Sequence, residues 1–135
     1  MVILYDRFNL PENVFEIIFA TEQQIIVGKE LIKYMIASKG EITKTDMGVF
    51  AARLHDGLYE AVLDIGEYKG KKVKLSYNKR QFYERILTPM KSMGIIDYDL
   101  YKKTYRVSTK FSQDLVNIGT MWKAALAKMG HRLAP

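Results

Sequence analysis

Asn78, Lys79, Arg80 and Gln81 stand together in this chain, with Glu84 and Arg85 about one helical turn further on. Arg can pair in a bidentate way with guanine, and Asn or Gln with adenine. Arg80, Gln81 and Arg85 are therefore the best candidates for contact with base edges. Asn78 also suits a helix N-cap, with Gln81 three residues on, and can be spent in that role. Two further groups of cations flank this stretch: Lys69, Lys71, Lys72 and Lys74 before it, and Lys102, Lys103 and Arg106 after it. Such side chains meet phosphates, which positions a protein on a duplex without reading its sequence. A solvated basic face with no ligand is the alternative reading of the same residues.

The charge distribution sharpens the choice. The chain has 135 residues and a formal net charge of +6. Residues 1–68 hold 6 Lys/Arg against 11 Asp/Glu, whereas residues 69–110 hold 12 against 3. A positive excess concentrated in one segment is the electrostatic footprint of a polyanion binder. Apolar residues at 48% and charged residues at 27% are ordinary for one folded domain over residues 1–135. There is no cysteine, so disulfides and thiolate metal sites are excluded. MVILYDRF lacks the basic region of a signal peptide, and VFEIIFATEQQIIVG is broken by Glu16, Glu22, Gln23 and Gln24. The expectation is a cytoplasmic protein away from membranes. The missing cysteine and the many Ile, Lys and Tyr lean toward an archaeal or thermophilic source.

Other chemistry finds little support. His55 and His131 are the only histidines and stand in unrelated contexts. Glu12 with Glu16, and Asp97 with Asp99, are carboxylate pairs by spacing alone. Gly66 and Gly70 are too isolated for a phosphate-cradling loop. The seven methionines suit core gap-filling. No catalytic residue, metal or cofactor is expected.

The elements that would position these residues can be read in order. VILY (2–5) suggests a short strand or arm. Pro11 suits a helix start, and residues 11–39 read as helix in one piece or two. Val14, Ile17, Ile18, Ile25, Leu31, Ile32, Met35 and Ile36 form the apolar stripe, and Gly28 suggests a bend. A second start near Thr21 matches a capping box, and ASKG (37–40) is a stop. EIT (41–43) is a strand stub. Thr43 or Thr45 caps a helix with Met47, Phe50, Ala51 and Leu54 inward. LYEAVLDIG (58–66) reads as a short amphipathic helix with Leu58, Val62 and Ile65 inward. YKGKKVKLSY (68–77) reads as a basic loop or small ribbon around Gly70.

A helix over 78–93 follows, with Phe82, Tyr83, Ile86, Leu87 and Met90 as its buried stripe. Pro89 should kink it or tighten its last turn. After Gly94 the period changes from 3.6 to 2. Ile96, Tyr98 and Leu100, then Tyr105 and Val107, mark a hairpin over 95–108 with its tip near 101–103. Ser108 or Thr109 caps a final helix to Gly130.

Helix, strand stub, helix, helix, two-stranded ribbon, helix is the order of a winged helix-turn-helix domain. ERILTPMKSMGIIDYD resembles the end of a recognition helix turning into a wing. KKTYRVSTKFSQDLV resembles a second wing strand feeding a helix, and TEQQIIVGKELIKYMIASKGEITKTDMGVFAARL resembles the elements before them. Over residues 21–115 the chain is similar to archaeal and bacterial transcriptional regulators of the multiple-antibiotic-resistance (MarR) type. The resemblance implies a mainly α fold with a small antiparallel β-ribbon, extended by N- and C-terminal helices. It implies a sequence-specific regulator on double-stranded DNA, with helix 78–93 in the major groove and wing 95–108 on the backbone or in the minor groove. One departure is plain: Asp56 to Tyr77 stands where these regulators have a short turn, so an extra helix or a basic ribbon is inserted there. The alternatives are a winged helix used for protein–protein contact, or a non-specific architectural DNA binder in a replication or transcription complex.

Phe111, Leu115, Ile118, Trp122, Ala125 and Met129 fall near a heptad spacing. The stripe either packs back on its own domain or builds a homodimer interface, with residues 1–20 and 111–135 as the dimerisation segments. Nothing in the sequence identifies an effector ligand.

Overall fold

The computed structural model of the chain describes residues 7–8, 11–63 and 69–131. The expected 2–5 strand and Ile65 lie outside them. The fold is mainly α-helical with two small antiparallel sheets. It runs α1 (Val14–Ile18), α2 (Glu22–Ala37), β1 (Glu41–Thr43), α3 (Lys44–His55), β2 (Tyr59–Val62) and β3 (Lys72–Leu75). Then come α4 (Lys79–Gln81), a π-helical stretch (Phe82–Leu87), α5 (Thr88–Ser92), β4 (Ile96–Asp99), β5 (Thr104–Val107) and α6 (Lys110–Lys128).

Side-chain caps set several boundaries. The side-chain oxygens of Thr21, Thr43 and Asn78 accept from the backbone N–H of Gln24 (3.2 Å), Asp46 (3.0 Å) and Gln81 (3.1 Å). Each satisfies one of the donors a helix start leaves open. Residues 11–39 form two helices, and the first starts later than Pro11 suggested, with Asn13 as its N-cap. Gly28 does not break the helix. It lies within continuous α2, where a Cβ would stand 2.5 Å from the Phe19 ring, so it admits the end of α1.

The core joins α2, α3 and the 79–92 helical run. Leu31, Met35, Met47, Leu54, Phe82, Ile86 and Met90 are fully buried. Each such side chain stabilises the fold by about 1.5–3 kcal/mol relative to exposure. Phe50 lies at the centre, with ring centroids at 5.3 Å from Tyr34, 4.9 Å from Tyr59 and 5.6 Å from Phe82. The apolar stripe of residues 11–39 is narrower than expected: Val14 in α1 and Ile36 in α2 are exposed, while Val27 is buried.

The first sheet has strand order β1-β5-β4. Its register pairs Ile96 with Val107, Tyr98 with Tyr105, and Ile42 with Tyr105. Ile96, Ile42 and Tyr105 are buried, whereas Val107 and Leu100 are exposed, so the apolar alternation fades toward both ends of the hairpin.

The second sheet overturns one expectation. Residues 59–62 form a strand that pairs with β3, Tyr59 opposite Leu75 and Val62 opposite Lys72. Ala61 and Leu63 are buried while Leu58 and Val62 are exposed, a period of 2 that no helix produces. Cross-strand bonding and the packing of Tyr59 on Phe50 override the helical preference of Glu60 and Ala61.

Pro89 was expected to kink the helix or tighten its last turn, and the turns before it are widened rather than tightened. It removes a donor and crowds the carbonyl four residues back. The preceding turns widen to π geometry, and the Thr88 N–H donates to the Tyr83 carbonyl, five residues back. The Thr88 hydroxyl donates to the same carbonyl at 2.8 Å.

Candidate nucleic-acid interface

The helical run 79–92 has one face in the core and one outside. Phe82, Ile86, Leu87 and Met90 are buried, and Tyr83 is half-buried. Burial raises the pKa of its phenol above the ordinary value. Asn78, Lys79, Arg80, Gln81, Glu84 and Arg85 are all exposed, so the structure brings the base-reading candidates onto one outer face. Two of them are partly engaged. Asn78 Oδ1 is used by the cap. The Arg80 guanidinium donates to Glu84 Oε1 at 3.1 Å, an exposed pair on the same helical run.

The start of this run is anchored to α3. The Tyr77 N–H donates to the Leu54 carbonyl (3.0 Å), and the Lys79 N–H donates to His55 Nδ1 (3.1 Å). His55 was assigned no role from the sequence. Its partner is 24 residues away, and no local spacing signals the bond. Gly57 and Ser76 face each other at the two ends of the intervening segment, with a Cβ at Gly57 3.8 Å from that of Ser76. The β2–β3 ribbon therefore leaves the end of α3 and returns to the start of α4 at nearly one point.

That ribbon carries Lys71, Lys72 and Lys74, all exposed. Lys72 Nζ pairs with Glu60 Oε2 across the strands at 2.9 Å. This bond lowers the Glu60 pKa and raises that of Lys72. Lys71 and Lys74 make no ion pair among the described residues.

The β4–β5 turn presents Tyr101, Lys102 and Lys103, all exposed; Tyr101, at 99%, covers none of the hairpin. Asp99 shapes the turn by accepting from the N–H groups of Tyr101 (2.9 Å) and Lys102 (3.1 Å). The Lys102 bond is the chief cause of the lowered Asp99 pKa. Lys103 adopts φ 53°, and its carbonyl accepts from the Lys44 N–H at 2.9 Å, tying the turn to the start of α3.

Arg106 is less free than Lys102 and Lys103. It donates to Asp97 Oδ2 (3.1 Å), which also accepts from Lys110 Nζ (3.3 Å). Arg106 first, then Lys110, holds the Asp97 carboxyl below the usual range. Asp97 and Asp99 are thus both occupied in structural bonds. At the base of the hairpin, Lys91 Nζ lies 5.6 Å from the Tyr98 ring, linking α5 to the strands by a cation–π contact.

The dimerisation candidates form a separate surface. No residue of α6 is buried. Leu115, Ile118, Trp122 and Met129 are exposed, and Phe111 is half-buried at the base of the helix. Beyond its first turn, most of the helix is exposed, with Ala125 and Leu126 half-buried.

Among the described residues no cluster of His, Cys, Asp or Glu could hold a metal ion. None of their helices is long and apolar enough to cross a membrane. Comparison with family models, curated proteins and solved structures finds no match to the chain, so the geometry carries the functional reading.

Proposed function

We propose that this protein is a winged helix-turn-helix regulator of transcription that acts as a cytoplasmic homodimer on double-stranded DNA. In this reading α3 and the 79–92 run are the helix pair, the run is the recognition helix, and β4–β5 is the wing. The β2–β3 ribbon is a second basic arm at the opposite end of the recognition helix. The observation that carries the reading is the exposed face of the 79–92 run. It places Lys79, Arg80, Gln81 and Arg85 outward over a core-bound apolar face, between two lysine-bearing hairpins.

Arg80, Gln81 and Arg85 read base edges in the major groove. Lys71, Lys74, Lys102 and Lys103 contact phosphates and set register. Lys72 and Arg106 already have carboxylate partners within the chain and contribute less. The protein works by occupying its site, with no chemistry of its own. A protein-docking winged helix would need no such concentration of cations.

The test is selection of duplexes from a randomised pool, followed by gel-shift titration of selected and scrambled DNA at two salt concentrations. The expected result is tight binding to the selected duplex and weaker, steeply salt-dependent binding to the other. No binding at low salt would remove the DNA reading. Equal affinity for both would leave an architectural DNA binder.

A further inference from the structure

The α6 helix is 19 residues long and none of them is buried. Six of its apolar positions, Phe111, Leu115, Ile118, Trp122, Ala125 and Met129, carried one residue past the helix end, recur at steps of 4, 3, 4, 3 and 4. That alternation keeps one narrow seam facing a single neighbouring helix along its length. Leu115, Ile118, Trp122 and Met129 are 46%, 53%, 59% and 70% exposed, and Phe111 and Ala125 are half-buried, so most of this seam stands open to a partner.

We propose that α6 pairs antiparallel with α6 of a second copy of this chain, crossing near Thr120, and so sets the distance between two recognition helices. The antiparallel register is favoured by three features of the helix. First, it closes the seam completely. Phe111 meets the partner's Met129, Leu115 the partner's Ala125, and Ile118 the partner's Trp122, so a large residue faces a smaller or flexible one in each layer.

Second, it joins the flanking charges. Asp114 and Lys128 lie on the same side of the seam, two heptads apart, and both are exposed. In the antiparallel pair Asp114 approaches the partner's Lys128, twice by symmetry. In a parallel pair Asp114 would face the partner's Gly119, and no opposite charges would meet. The antiparallel crossing also puts Gly119 next to the partner's Gly119. A Cβ there meets nothing within 4 Å, so that site is open to close approach by a second helix.

Third, the lengths agree. Helix starts near residue 110 of the two copies would stand 20 residues apart along the pair, about 30 Å. The Phe111 N–H donates to the Gly94 carbonyl at 3.2 Å, so the end of the recognition helix is fastened to the start of α6. Two half-sites one turn of DNA apart are separated by about 34–36 Å. Parallel α6 helices would instead start side by side, about 8–10 Å apart. This spacing argument rests on the proposed DNA reading; the pairing itself does not.

The chain has no cysteine, which makes engineered disulfides unambiguous. Leu115→Cys and Ala125→Cys, one of them tagged, are mixed and oxidised without DNA. The antiparallel pair gives a mixed disulfide dimer. Leu115→Cys alone gives none, because its two copies lie about 15 Å apart along the axis. Rapid cross-linking of Leu115→Cys to itself would overturn the antiparallel register.

Sedimentation of the unmodified chain should show a dimer, and Ile118→Glu should be monomeric and still folded by circular dichroism, with a melting temperature below the dimer's because association stabilises the folded state. A monomer for the unmodified chain at its highest soluble concentration would overturn the pairing. Asp114→Lys should weaken the dimer, and Asp114→Lys with Lys128→Asp should restore it; no rescue would refute the charge pairing. A dimer that passes these tests but binds no duplex would remove the DNA reading and leave the pairing standing.

Discussion

Replacing Lys102 and Lys103 together by alanine isolates what the β4–β5 turn contributes to binding. Both side chains are exposed, and the turn is held by Asp99 accepting from two backbone N–H groups, which the substitutions keep. Lys103 sits at φ 53°, and alanine there carries the same Cβ, so the backbone strain is unchanged. Each phosphate contact contributes about 0.9 to the slope of log K against log salt concentration, so losing two lowers the slope by about 1.8. At about 0.1 M salt that amounts to roughly 60-fold in affinity, or about 2.4 kcal/mol, and the deficit shrinks toward zero near 1 M. Fluorescence anisotropy over a salt series, with selected and scrambled duplexes, measures both quantities. The loss should be the same on both DNAs. An unchanged slope would show that the turn does not touch phosphate, and a loss confined to the selected duplex would show that it reads bases.

Three further changes probe other parts of the surface. Arg80→Ala should weaken binding to the selected duplex by roughly 1–3 kcal/mol and relax the preference at one base position. An unchanged preference, measured by repeating the selection, would take Arg80 out of the reading set. His55→Ala leaves the Lys79 N–H without its acceptor and should cost about 0.5–1.5 kcal/mol in urea unfolding; no change in midpoint would mean that water replaces the bond at no cost. The depressed pKa of Asp97 stabilises the folded state above the carboxyl's unfolded value, about 4. That contribution is lost as pH falls through the lower folded value. Acid unfolding of Asp97→Asn should lack this component, and identical acid profiles for the two proteins would contradict it.

What was legible in the sequence was mostly local. Thr21, Thr43 and Asn78 cap helices through bonds three residues long, and such chemistry is visible in the order of residues. The hairpin was legible because Ile96, Tyr98 and Tyr105 alternate strictly and Gly94 ends the helix before it. The β2 strand was not, because Tyr59–Val62 is short and contains Glu60 and Ala61, which favour helices. Its identity comes from pairing with Lys72–Leu75, across a stretch that no window on the strand itself includes. The π-helical stretch shows the same limit. Pro89 announces a disturbance, but whether the helix tightens or widens depends on which carbonyl the Thr88 N–H reaches. For α6, the heptad spacing identified the face; only the folded body shows that Leu115, Ile118, Trp122 and Met129 on it stand exposed.

Gly94 is where helix, hairpin and α6 are made to agree. Its φ of +81° ends the 79–92 run in a conformation that a side chain would strain. The space is closed as well, since a Cβ there would stand 3.2 Å from the Lys110 Cβ and 3.3 Å from the Phe111 nitrogen. Its carbonyl accepts from the Phe111 N–H, the neighbouring Ile95 carbonyl accepts from Ser108 N–H (2.8 Å), and Asp97 bonds Arg106 and Lys110 together. These contacts lock the end of the 79–92 run, the base of the β4–β5 hairpin and the first turn of α6 into one unit. A change at Gly94 would therefore act on all three. Gly94→Ala should lower the melting temperature and also loosen the half-site spacing that the protein accepts. Gly70 is the control. It also has positive φ, but a Cβ there meets nothing within 4 Å. Gly70→Ala should show the backbone cost alone, with spacing preference intact. If both variants tolerate the same range of spacers in gel shifts, the proposed recognition helix and α6 are not mechanically joined through Gly94.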